Sequence, residues 1–159
     1  MSGPGIQAAI REARPEEADA VMAMFEWLFA APGRPPPGWD PGTAAPRLLE
    51  AIEAPDSTVL VADDGGELVG LCTAYLELRS IRFGQRCWVE DLAVDPRRRS
   101  QGIGERLLQS ARDWARERGA THLELDTGRD RTDAQRFYER QAPAWDGINY
   151  AWWLAGPSG

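Results

Sequence analysis

The chain reads as a mixed α/β domain of the α+β kind, a sheet with helices packed on it. Three observations lead there. Apolar residues recur at helical spacing in some stretches and crowd into short β-rich runs in others. Asp63-Asp64-Gly65-Gly66 stands between two of those runs, a strong hairpin signal. A β-rich run, a glycine loop and a long amphipathic segment then follow one another over 87–118, the pattern of a sheet strand handing over to a helix. At 159 residues there is room for one domain with a real core and too little for two, so 1–159 is expected to be a single domain.

The elements follow in order. Residues 6–11 form a short first strand, and 13–30 a helix whose first turn holds Pro15, Glu16 and Glu17, where negative charge suits the helix dipole. Val21, Met24, Phe25 and Leu28 recur on one face of it. The Pro- and Gly-rich stretch 31–42 is expected to be irregular, a loop between the first two helices, and a short second helix covers 43–54. The hairpin strands are 57–62 and 67–78, and a turn near Arg82-Phe83-Gly84-Gln85-Arg86 leads to a fourth strand, 87–94. Over 102–118, Leu107, Leu108, Ala111, Trp114 and Ala115 form one helical stripe, which Gly119 can end. A fifth strand over 121–127, a helix over 131–140 and a last strand over 147–156 complete the list.

Composition narrows the function. Formal net charge is -7, and every one of the 18 basic residues is Arg. An acidic surface argues against a partner such as nucleic acid and suits amine-bearing small substrates. Cys72 and Cys87 sit in apolar runs with no Cys-x-x-Cys pattern, and His122 is the single His, so no metal constellation is expected. Buried thiols, the lack of an apolar leader and the lack of a membrane-length apolar run point to a cytoplasmic protein that does not span a membrane.

The chemistry concentrates in 95–108, Asp-Pro-Arg-Arg-Arg-Ser-Gln-Gly-Ile-Gly-Glu-Arg-Leu-Leu. A strand followed by glycines at a helix start presents unpartnered N–H groups to an anion, and Gly102 and Gly104 let a ligand approach the backbone. Glu105 stands where a P-loop needs Lys, and Leu107 where a dinucleotide loop needs its third Gly. Arg99-Ser100-Gln101-Gly102-Ile103-Gly104 instead resembles the pyrophosphate loop of the GNAT superfamily of acetyl-CoA-dependent N-acetyltransferases, and Ala134-Gln135-Arg136-Phe137-Tyr138-Glu139 resembles that family's later Ala-x-x-Phe-Tyr-Glu segment. The resemblance covers essentially the whole chain.

The resemblance implies a mostly antiparallel sheet of six to seven strands, splayed between the fourth and fifth and flanked by about four helices. It implies acetyl-CoA as co-substrate and no metal. The amides of Ser100, Gln101, Gly102, Ile103 and Gly104, with Arg99 nearby, would hold the pyrophosphate, and the backbone of Leu92, Ala93 and Val94 the pantetheine arm. Arg97 and Arg98 read either as contacts to the 3′-phosphate or as a solvated charge run. Arg131, where the family often has Asn, and Ala134 would lie at the pantetheine end. Tyr138 holds the general-acid position.

Val89-Glu90-Asp91-Leu92-Ala93-Val94 is similar to a strand of glucosamine-phosphate N-acetyltransferases in which the Glu is implicated, so Glu90 is the expected base. Asp91 is the alternative and Asp126 a weaker one; Glu90 and Asp91 face opposite sides of a strand unless a bulge intervenes. His122 reads as an exposed or capping side chain. Trp27, Trp39 and Tyr75 are the candidate acceptor wall, since aromatic faces suit ammonium groups. Two departures stand out: Ala142 and Pro143 replace the family's Gly-Phe. The expected activity is acetyl transfer to a primary amine of a small molecule within a ternary complex. A non-catalytic acyl-CoA sensor and a protein N-acetyltransferase are the alternatives. The apolar tail is compatible with a homodimer.

Overall fold

The computed structural model describes residues 7–155. Its sheet has the order β1 (Ala9–Glu12), β2 (Ser57–Asp64), β3 (Glu67–Leu76), β4 (Arg86–Val94) and β5 (His122–Glu124). β1 to β4 pair antiparallel and β5 runs parallel to β4. Four helices flank it: α1 (Ala18–Phe29), α2 (Pro41–Glu53), α3 (Ile103–Glu117) and α4 (Thr132–Arg140).

Strand alternation builds a core on each face. Leu60, Ala62, Cys72, Ala74, Cys87 and Val89 meet the α3 stripe of Leu107, Leu108, Ala111, Trp114 and Ala115. Val59, Val61, Leu71 and Ala93 meet Val21 and Met24 of α1 and Leu48 of α2. The close packing that a third loop glycine would have supplied comes from the strand side. A Cβ on Gly70 would stand 2.9 Å from Leu107 Cδ1 and 3.1 Å from Ile103 Cγ2, so only glycine lets the start of α3 lie this close to β3.

Turn chemistry sets the connections. Gly65 and Gly66 both have positive φ (61° and 99°), as a type I′ hairpin requires, and Asp63 accepts the Gly66 N–H at 2.7 Å. Gly119 (φ 81°) ends α3 as its pattern anticipates. Arg11 pairs with Glu17 (2.7 Å) and Asp63 (3.0 Å), which ties β1 to β2 and to the turn before α1.

Several expectations need correcting. The described residues form five strands, where six to seven were expected. β1 ends one residue later than expected, and Ile6, the expected start, lies outside the described residues. Pro41 and Gly42 are not loop: Asp40 caps α2 by accepting the Gly42 and Thr43 N–H groups, with Pro41 preset for the first helical position. The fifth strand shrinks to three residues, and the last strand does not form.

The tail shows why. Trp145 stacks on Phe83 and tilts against His122, while Asn149 donates to Asp126 at 2.7 Å. Residues 145–149 therefore run alongside β5 but stand off from it across a cleft of about 1100 Å³. Ladder pairing needs strands about 4.8 Å apart. Ala142 (φ 52°) and Pro143 start this departure, the first in a left-handed backbone and the second with no N–H to give.

Candidate functional site

The site is built where the sheet opens. β4 and β5 stay in register only through Arg86–His122, Cys87–Leu123 and Trp88–Glu124. Beyond Trp88 the strands part, and 89–94 is paired with β3 alone. A β-bulge sits at the parting point. Thr73 faces Asp91 and Ala74 faces Val89, so Glu90 is an extra residue on β4. Bulges bend the strand that carries them and re-aim its side chains.

The bulge changes which way the two acids point. Cys87 and Val89, then Leu92 and Val94, pack on the α3 side, and Ala93 packs on the α1 side. Glu90 and Asp91 consequently share the α1 face, contrary to the plain alternation expected of neighbours on a strand. Their surroundings differ. Glu90 is exposed, its Oε2 accepting from Trp88 Nε1 at 2.8 Å with the Tyr75 hydroxyl 3.5 Å away. Asp91 is half-buried, and its Oδ2 accepts from the Thr73 hydroxyl at 2.6 Å. Burial pushes its carboxyl up to about 6; Thr73 opposes the rise and Glu90 adds to it. Burial, with the charges of Glu90 and Glu77, lifts the Tyr75 hydroxyl to about 12.

Below the opening, β4 runs into the loop before α3. Asp95 is buried and caps a short 3₁₀ turn (Pro96–Arg98), accepting the Arg97 N–H at 2.9 Å. Arg97 also pairs with Asp95 and Glu67, and Arg98 with Asp64 and Glu67, so both guanidiniums serve the β2–β3 hairpin. Arg99 is exposed and forms no ion pair among the described residues. Ser100 (φ 64°) and Gly102 (φ 78°) are both left-handed, and Gly102 brings no side chain to cap α3. The N–H groups of Ile103 and Gly104 therefore open α3 without an intrahelical partner. A Cβ on Gly102 would meet nothing within 4 Å, whereas one on Gly104 would touch Phe137 and Val94. A cleft of about 270 Å³ lies beside this loop, lined in part by Gln101, Ile103 and Arg106.

α4 closes the other side. Tyr138 is partly buried against the α3-side core, and burial raises its hydroxyl to about 12. Arg131 donates to the Leu28 carbonyl at 2.8 Å, latching the start of α4 to the end of α1. Ala134 is half-buried one turn before Tyr138. Cys72 and Cys87 are free, buried thiols; burial pushes Cys87 up to about 11 and Cys72 higher still.

The remaining candidates separate. Tyr75 joins the carboxylates, while Trp27 packs into the α1-side core. Trp39 stacks on Phe25 at 6.0 Å and meets Phe29 edge-on at 4.9 Å, closing an aromatic cluster over α1. His122 is not an exposed cap. It lies between Thr121 and Glu124 under Phe83 and Trp145, at the closed end of the β4–β5 pair. Asp126 is taken by Asn149. Thr73 was silent in the sequence, because a β-branched residue inside a strand reads as strand former and nothing more.

The family model described as Acetyltransferase (GNAT) family matches residues 7–142. The uncharacterized N-acetyltransferase YhfO of Bacillus subtilis (strain 168) is 30% identical over 135 residues, which is 82% of this chain and 86% of that protein. Streptothricin acetyltransferase of Streptomyces lavendulae is 32% identical over 112 residues, 70% of this chain and 57% of that one. Aminoglycoside N-acetyltransferase AAC(6')-Iy in complex with CoA has a TM-score of 0.78 at 16% identity, covering 98% of each chain, a likeness of fold alone.

Proposed function

The chain belongs to the acetyltransferase (GNAT) family and is an acetyltransferase; from that premise we propose that it moves an acetyl group from acetyl-CoA to a primary amine of a small molecule by direct attack in a ternary complex. The observation that carries this reading is the pair of carboxylates turned to one face by the Glu90 bulge, at the point where β4 and β5 part.

Acetyl-CoA supplies the activated acyl group. The unpartnered amides at the start of α3, from Ser100 to Gly104 with Arg99 beside them, suit its pyrophosphate. The edge of β4 that lacks a strand partner, at Leu92, Ala93 and Val94, suits the pantetheine amides. Arg131 and Ala134 would flank that arm from α4, Arg131 holding α4 in place through its bond to Leu28.

Asp91 is the general base of this reading. With its carboxyl near 6 it is ionised at neutral pH yet basic enough to take a proton. As the amine nitrogen attacks the thioester carbon, its proton passes to Asp91, directly or through a water. A backbone N–H near Leu92 or Ala93 meets the carbonyl oxygen as it gains charge. The C–S bond breaks, and Tyr138, protonated across the working pH range, gives its proton to the thiolate. Both cysteines stay protonated, which supports transfer without an acyl-enzyme.

Glu90, Tyr75 and Trp88 form the mouth of the acceptor side, an acidic and aromatic surface suited to a cationic amine. Relatives and neighbours named for streptothricin and aminoglycosides point the same way. Coenzyme A release measured across a panel of amines tests the reading. Release above acetyl-CoA hydrolysis with at least one amine is expected; no rise with any amine overturns it.

A second feature supports a homodimer. Ile148, Tyr150, Trp152, Trp153 and Leu154 are all apolar or aromatic, yet they are 64%, 70%, 79%, 68% and 98% exposed. The same chain thus holds an exposed apolar tail segment and an unpaired sheet edge at β5.

A further inference from the structure

Thr73 occupies an unusual position in the bulge. Its hydroxyl donates to Asp91 Oδ2 at 2.6 Å and at the same time accepts the Asp91 backbone N–H at 3.1 Å. The accepted bond fixes where the hydroxyl oxygen sits, and the donated bond then fixes its proton on the carboxylate. A neutral acid needs no such donor, so the arrangement favours the ionised side chain. It also satisfies an amide that the bulge has removed from the β3–β4 ladder.

We propose that Thr73 is a positioning residue for the acetyl transfer, holding the Asp91 carboxylate ionised and fixed on the α1 face of β4 beside the point where β4 and β5 part. This rests on the reading of Asp91 as base. Nothing else around Asp91 does the same work. The titratable neighbours are Glu90 on its own strand, whose charge opposes a second one on Asp91, and Cys72 on β3, a protonated thiol that Asp91 itself helps to keep so. Arg86 is held by Glu77 and Glu124, and among the described residues no cation pairs with Asp91. The side chains that α1 lays over this face, Val21, Met24, Phe25 and Leu28, are apolar. Thr73 is thus the donor that keeps a shielded acid usable as a base.

The test compares Thr73→Val and Thr73→Ser by the pH dependence of kcat/KM, alongside a carbon-13 NMR titration of the Asp91 carboxyl, its signal assigned by its loss in Asp91→Asn. Thr73→Val should raise the Asp91 midpoint and the acid limb of the profile by about one pH unit, the size expected for a bond to an ionised group. Its rate deficit should narrow as pH rises. Thr73→Ser should restore both to the parent values. Should Thr73→Val fail to fold, Thr73→Ala, which places no methyl against the carboxylate, carries the same expectation. A midpoint unmoved in the Val or Ala variant overturns the proposal, even where turnover falls. An acid limb that survives in Asp91→Asn instead overturns the reading of Asp91 as base, so the two failures are distinguishable.

Discussion

At the scale of single residues, Asp91, the base of the proposed reading, is a group whose burial works against stability. Its carboxyl rises from an ordinary 3.8 to about 6 in the fold. The folded state then binds its proton more tightly than the unfolded state does, so stability falls as pH climbs between those values and the loss is complete above about 6. Asp91→Asn should therefore raise Tm at pH 7 to 8, by about 1–2 kcal/mol of stability once the solvent reaching a half-buried carboxyl is allowed for. The difference should vanish on acidification toward pH 4, and calorimetry against pH reads it directly. The same variant should lose about 100-fold or more in kcat. Glu17 runs with the opposite sign. Its bond to Arg11 holds it down at about 2, burial opposing and the bond from the Arg14 N–H adding to the effect. Its contribution is present above about 4.5 and is lost as pH falls toward 2. Glu17→Gln should cost about 1 kcal/mol at neutral pH and nothing in strong acid. Of the residues that the sequence singled out, Tyr138, Glu90 and Asp91 all lie at or beside the opening of the sheet. The weighting between the two acids was not legible, because it depends on a bulge that no local sequence preference announces.

At the scale of elements, the loop before α3 and the loop after α4 carry their information in backbone angles. Gly102 is left-handed with open space around it, so Gly102→Ala meets conformational strain rather than a clash. The expected result is a loss of about 1 kcal/mol of stability and a raised KM for acetyl-CoA with kcat little changed, measured by denaturation and steady-state kinetics. Gly104 is free of that strain, and a Cβ there would meet Phe137 and Val94 only in ordinary contact, at 3.6 and 3.7 Å. Ala142 is the mirror case. It stands where the family pattern has glycine, and the backbone still takes a left-handed turn there (φ 52°). Ala142→Gly should thus stabilise the chain by a few tenths to about 1 kcal/mol, the relief of a left-handed Cβ less the entropy glycine loses on folding. Helices and hairpin were readable because their signals are local: the α3 stripe and the two glycines of the β2–β3 turn; the Asp40 cap, masked by the Pro- and Gly-rich stretch around it, was not read. β5 and the tail were not, since whether an apolar run pairs depends on a neighbouring strand that the run itself does not encode.

At the scale of the whole molecule, the sheet is finished on one side and open on the other. β5 contributes three paired residues and then a free edge, above a cleft of about 1100 Å³. Beyond it lies a tail whose apolar side chains face solvent. An unpaired edge together with an exposed apolar segment is an association hazard unless each is covered. Since one chain carries both, two copies can satisfy each other reciprocally, with the tail of each laid on the β5 edge of the other about a two-fold axis. The expected state is a dimer. Trp152→Ser combined with Leu154→Ser, which removes the apolar character of one tail face, should shift sedimentation from dimer to monomer. Both substitutions lie well away from the Thr73–Asp91 pair in sequence and on an exposed segment, so the fold should persist in far-UV circular dichroism. A parent chain that sediments as a monomer at the concentrations of the assay would remove the homodimer reading. It would leave the tail as an apolar surface for some other partner, and it would leave the chemistry between β4 and β5 untouched.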